Sequence, residues 1–181
     1  MTHVGGRHLT VGSTAGYLAV PSGTGPAFDA IEAARAALAA RPECTGKVGV
    51  LGFCMGGGFA LLCAPRGDFS AASVNYGQVP DDAERVLAGS CPVVASYGAR
   101  DPMGAGPPRR LEEALTALDV PHDVKVYPGA GHSFMDIKPS WLTPLVRLAR
   151  LDYRQDEAED SWHRIFTFFG EHLGSEPASA S

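Results

Sequence analysis

The chain reads as an α/β protein: a three-layer sandwich in which helices cover both faces of a mostly parallel sheet. Two observations predict this. From Phe28 onward, helical and strand-like patterns alternate, the order that builds parallel sheets through helical crossovers. Within that order, Lys47 to Phe53 is an apolar, β-branched run that turns sharply into the apolar, helical segment Met55 to Ala64.

Each element follows from its local pattern. Residues 8–12 and 16–20 read as two short strands joined by a Ser-Thr turn, and Pro21 to Pro26 reads as a loop by composition. Phe28, Ile31, Ala34 and Leu38 share one face of an alanine-rich helix, about Phe28 to Ala40. Pro42 to Gly46 stops it. After the strand and helix around Gly52, Pro65 and Gly67 break the chain, and Ala71 to Tyr76 reads as a strand. Asp81 to Leu87 suits a short helix with acidic residues in its first turn. Cys91 to Tyr97 is a strongly apolar strand. Pro108 to Leu118 is an amphipathic helix, and Val120 to Tyr127 alternates as a last strand. Trp141 to Leu151 reads as a loop or short helix. Asp160 to Leu173 forms a final helix, with Trp162, Ile165, Phe166, Phe169 and Leu173 on one side. The expected organisation is one domain over residues 1–174: lead strands and linker over 1–26, a core over 27–173, and a disordered tail over 175–181.

Bulk properties narrow the function. The chain has 181 residues, enough for one sizeable core, and its formal net charge of −5 offers no basic footprint for nucleic acid. No apolar run approaches the roughly 20 residues of a membrane-spanning helix, and the first residues lack a signal-peptide core. A cytoplasmic setting is the expectation, without nucleic-acid or membrane partners. The four cysteines, Cys44, Cys54, Cys63 and Cys91, form no C-x-x-C pair and no zinc-like spacing. Cys63 and Cys91 read as small buried hydrophobes. No metal site is expected.

Three chemistry-bearing residues fall where strands end. Gly52-Phe53-Cys54-Met55-Gly56 has the small–x–nucleophile–x–small form of a nucleophile elbow, with cysteine in the serine position. Asp101 follows the Val93 to Gly98 run, and His132 follows the Val124 to Tyr127 run. Each type suits a role. A helix N-terminus and a nearby imidazolium favour a thiolate at Cys54. His132 exchanges a proton with the sulfur and the leaving group, and Asp101 orients the imidazole. The Met55 N–H donates to the developing oxyanion. Singly, such residues are mostly core, turn and loop residues. Their shared order and strand-end placement points to a site. His3, His8, His122, His163 and His172 have no comparable setting.

The motifs Gly52 to Gly58, Val74-Asn75-Tyr76-Gly77, Tyr97 to Pro102 and Tyr127 to Phe134 resemble those of the dienelactone hydrolase family, cysteine-nucleophile members of the α/β-hydrolases. The resemblance spans about Phe28 to Leu173. It implies an α/β-hydrolase-like fold and hydrolysis of small esters or enol-lactones through an acyl-cysteine, without a cofactor. It also implies Cys54, Asp101 and His132 as the triad and Tyr76, Phe53 and Phe134 as pocket candidates, an aromatic at Tyr76 being as well suited to packing. The family pattern has two further strands and a helix between the lead strands and the helix before the elbow. Here the lead hairpin runs into that helix at Gly25-Pro26-Ala27, or residues 16–20 are themselves the last strand before it. The fold is therefore expected to be shortened on its N-terminal side. No residue is assigned to the second oxyanion donor, the family's glutamate or its substrate arginines, and Ser133 to Lys138 stands where one arginine would be. Two consequences are expected: the nucleophile strand either becomes an uncovered edge suited to self-association or pairs with the lead hairpin, and there is the alternative of a catalytically impaired member that acts by binding.

Overall fold

The computed structural model describes residues 23–137 and 153–174. The expected lead strands, the Trp141 to Leu151 segment and the tail lie outside them. Helix α1 spans Pro26–Ala39, strand β1 Gly49–Phe53, helix α2 Met55–Cys63, strand β2 Ala71–Asn75 and helix α3 Ala83–Val86. Strand β3 spans Val93–Gly98, helix α4 Gly106–Ala117, strand β4 His122–Tyr127 and helix α5 Gln155–Leu173. The strands form a parallel sheet in the order β1-β2-β3-β4.

Helix boundaries have local causes. Pro26 occupies the first turn of α1, where a missing N–H costs nothing. Helix α5 begins five residues earlier than its apolar stripe suggests. Asp156 and Glu157 lie in its first turn, where negative charge opposes the positive helix end. Strand β4 starts at His122 rather than Val120, because the Val120 N–H instead closes the end of α4 by donating to the Leu115 carbonyl at 3.0 Å.

The central strands β2 and β3 are buried along their whole length. Such strands read as unbroken apolar runs because helices cover both faces. On one face, α2, α3 and α4 pack Leu61, Leu87, Leu111 and Leu115 against Val74, Val93 and Ala95. Phe28 of α1 joins Phe59 of α2, their ring centroids 5.1 Å apart. On the other face, Ala158, Ile165 and Phe168 of α5 cover Ala71, Val94 and Tyr127. Buried side chains of this size each contribute about 1.5–3 kcal/mol. Close approach is built into this face: a side chain on Gly49 would put its Cβ 2.9 Å from Phe169 and Leu173.

The α5 face also carries a partly buried cation. Arg164 donates to the Asp123 carboxylate at 2.8 Å, the Asp123 carbonyl at 2.8 Å, the Ser96 hydroxyl at 3.1 Å and the Ala95 carbonyl at 3.3 Å. A planar, five-donor guanidinium can serve these acceptors at once, which lysine cannot. Among the described residues β1 has one strand neighbour, β2. Together α1, β1 and α2 enclose an apolar groove of about 220 Å³ lined by Ile31, Leu38, Val50, Leu51 and Phe59.

Arg164→Leu removes every donor while the Ser96 and Ala95 acceptors stay buried. It is expected to cost about 2 kcal/mol or more, read as a lower urea midpoint at unchanged m-value. Arg164→Lys should recover less than half of that loss.

Candidate active site

The site begins with a collision avoided. A Cβ at residue 52 would lie 1.9 Å from the Gly56 carbonyl oxygen, and one at residue 77 would lie 2.5 Å from the Gly57 carbonyl carbon. Only glycine at these positions lets β1 run straight into α2 and lets the segment after β2 press against that helix. Between them Cys54 is held at φ 53°, ψ −120°, a conformation that side chains rarely adopt. Its N–H donates to the Asn75 carbonyl at 2.9 Å, which ties the elbow to the end of β2. The result is an exposed thiol at the N-terminal end of α2.

Two further loops reach this thiol from the ends of β3 and β4. The Ala99 N–H donates to the Tyr127 carbonyl and the Arg100 N–H to the Ala130 carbonyl, both at 2.9 Å. These bonds hold the Asp101 loop against the His132 loop. Asp101 is buried, and its Oδ2 lies 2.7 Å from His132 Nδ1. Its other oxygen accepts the Met103 N–H at 2.9 Å, so the Asp-Pro turn also fixes the carboxylate. His132 Nε2 lies 3.1 Å from Cys54 Sγ. The three residues expected from strand-end placement therefore form one hydrogen-bonded chain. Met55 is the first residue of α2, where a backbone N–H has no partner within its own helix.

The hydrogen bond to Asp101 raises His132 from its ordinary 6.5 to about 9. Desolvation opposes the shift, and the bond to Cys54 adds to it. The ring therefore holds its proton at neutral pH. Burial pushes the thiols of Cys63 and Cys91 up to about 12 and about 11. Cys63 is a buried core residue, as its apolar surroundings suggested, whereas Cys91 is only partly buried and packs against the edge of the core.

The aromatic candidates lie together behind the imidazole. Tyr76 and Phe134 have no exposed surface. The Tyr76 ring meets His132 edge-on at 5.2 Å and Phe134 at 5.6 Å. Phe53, half-buried, packs between Tyr76 and Trp162. Tyr76 thus backs the imidazole and Phe134 packs on Tyr76, and neither presents surface to an open cleft. Sequence reasoning did not find Asp136, whose Oδ1 accepts the Tyr76 hydroxyl at 2.9 Å. The partners are 60 residues apart, and no local pattern marks such a pair. Among the described residues, Cys54, Tyr76, Asp119 and Ser133 are the non-glycine residues with positive φ. Three of the four belong to this site.

A family model for the dienelactone hydrolase family matches residues 16–173. The carboxymethylenebutenolidase of Rhodococcus opacus is 30% identical over 138 residues, which are 69% of this chain and 50% of that protein. A Saccharolobus solfataricus protein provisionally named carboxymethylenebutenolidase is 31% identical over 67% of this chain and 43% of its own length. This chain thus spans about half the length of the curated relatives it matches. Among solved structures, a dienelactone hydrolase-like promiscuous phosphotriesterase from metagenomic libraries superposes with a TM-score of 0.64 at 29% identity. The match covers 79% of this chain and 60% of that one.

The linkage at His132 has a definite sign. Its value in the fold lies above the ordinary 6.5, so the stabilisation from its protonated form is complete below about pH 6.5. That stabilisation is lost as pH rises through about 9. The urea-midpoint advantage of the wild type over His132→Gln should shrink across this window. In Asp101→Asn the histidine midpoint, followed by NMR, should fall from about 9 toward 6.5.

With its α/β-hydrolase-like fold and this match over most of its length, the chain belongs to the dienelactone hydrolase family.

Proposed function

We propose that the protein hydrolyses small esters or enol-lactones through Cys54, His132 and Asp101, by way of an acyl-cysteine. The observation that carries this reading is the continuous chain from Asp101 Oδ2 through both ring nitrogens of His132 to Cys54 Sγ, at 2.7 and 3.1 Å. Membership of a hydrolase family supports the reaction class, and two relatives bear the name of a lactone hydrolase.

With the proton on His132, Cys54 Sγ attacks the carbonyl carbon, and the carbonyl π pair moves onto oxygen near the Met55 N–H. The pair returns and the C–O bond to the leaving group breaks. His132 Nε2 gives its proton to the departing oxygen. Neutral His132 then takes a proton from water as the water oxygen attacks the thioester. Collapse of that second tetrahedral species breaks the C–S bond, releases the carboxylic acid and leaves the sulfur beside a protonated His132. Asp101 keeps the ring oriented throughout. An enol-lactone suits this sequence because its leaving group is an enolate, which departs more readily than a simple alkoxide.

Turnover of a small activated ester tests the proposal. Cys54→Ala should lose at least about a thousandfold in kcat/KM, because the covalent route is removed. Equal rates for Cys54→Ala and the wild type would overturn it.

A further inference from the structure

Two hydrogen bonds join the same two pieces of chain across the active site. One piece is the end of β2 with the elbow tied to it: the Asn75 carbonyl accepts the Cys54 N–H, and Tyr76 is the next residue. The other is the loop from His132 to Asp136, drawn into a turn by the Asp136 N–H donating to the Ser133 carbonyl at 3.0 Å. His132 Nε2 to Cys54 Sγ, at 3.1 Å, is one cross-link. The Tyr76 hydroxyl donating to Asp136 Oδ1, at 2.9 Å, is the other. Between them the Tyr76 ring stands edge-on to the imidazole.

Tyr76 is built to hold this place. It is completely buried, its N–H donates to the Ser96 carbonyl at 2.8 Å, and its backbone is kept at φ 41°. Such strain persists only where surrounding contacts enforce it. Burial, followed by the charge of Asp136, pushes its phenol well above the ordinary range, so it remains a donor at any working pH.

We propose that Tyr76 is a positioning residue. Its hydroxyl, anchored on Asp136, sets the distance and angle at which His132 meets Cys54. The proposal rests on the reading of Cys54 as the nucleophile and His132 as its proton partner. It gives a buried aromatic a role without substrate contact. The charged or titratable groups around the imidazole, among the described residues, are Asp101 and Cys54 directly and Asp136 through Tyr76.

The test combines ester kinetics with alkylation of Cys54 by iodoacetamide, followed from about pH 6 to about pH 9 by mass spectrometry of its peptide. Tyr76→Phe keeps the ring and loses the hydroxyl. It should lower kcat roughly ten- to a hundredfold while KM stays within about twofold, and it should slow Cys54 alkylation at neutral pH. Asp136→Ala should reproduce both effects. Asp136→Asn, which keeps an oxygen acceptor, should lose less than Asp136→Ala. Wild-type kcat and alkylation in Tyr76→Phe would overturn the proposal, as would a raised KM at unchanged kcat, which would mark a substrate contact. If Tyr76→Phe does not fold, the two Asp136 variants decide by the same criteria. Alkylation needs no ester. Slowed alkylation in a protein whose wild type hydrolyses no ester would therefore keep the positioning role and refute the hydrolase reading instead.

Discussion

A side chain at residue 52 would place its first carbon 1.9 Å from the Gly56 carbonyl oxygen, closer than any packed atoms can come. The turn from β1 into α2 exists because residue 52 has no side chain. The turn in turn holds Cys54 at a positive φ and lifts its sulfur out at the end of the sheet. A second contact of the same kind, Gly77 against Gly57, presses the segment after β2 onto the same helix. The site is therefore a product of backbone packing first and side-chain chemistry second.

The parallel sheet does the rest of the assembly. Parallel strands bring their carboxyl ends to one side, so loops after β1, β3 and β4 meet without any long excursion of the chain. The Asp101 and His132 loops are then bonded backbone to backbone through Ala99, Arg100, Tyr127 and Ala130. This leaves the acid and base little freedom relative to each other. The consequence is electrostatic: a buried carboxylate 2.7 Å from the ring holds a proton on His132 across the neutral range. The proposed hydrolysis starts from a protonated imidazole and an attacking sulfur. Strain gathers here as well, at Cys54, Tyr76 and Ser133.

The features legible in the sequence share one physical property: they are local, or they follow from strand order. The elbow could be read from Gly52, Cys54 and Gly56 because a tight turn demands small residues at fixed offsets. Asp101 and His132 could be read because each follows an apolar strand of recognisable length. Every strand and helix of the described core was visible as a pattern, with ends shifted by a few residues where a cap or a turn outcompeted the apolar period. Long-range pairs were not legible. Arg164 reaches Ser96 and Ala95 across 68 and 69 residues, and Tyr76 reaches Asp136 across 60. Nothing in the neighbourhood of either residue announces its partner. For the same reason Tyr76 reads equally well as pocket or packing, and Phe134 reads as a pocket residue. Only the fold places both fully buried, with Tyr76 against the imidazole.

The central claim is that the strained cysteine takes the acyl group onto its own sulfur. Acid-quenched mass spectrometry tests it most directly: the protein is mixed with an excess of an activated ester, stopped within the first turnovers and digested. The account predicts an added mass equal to one acyl group on the peptide containing Cys54, and its disappearance once the ester is exhausted. An unmodified Cys54 peptide during active turnover, or an acyl group carried only on Cys44, Cys63 or Cys91, would contradict it.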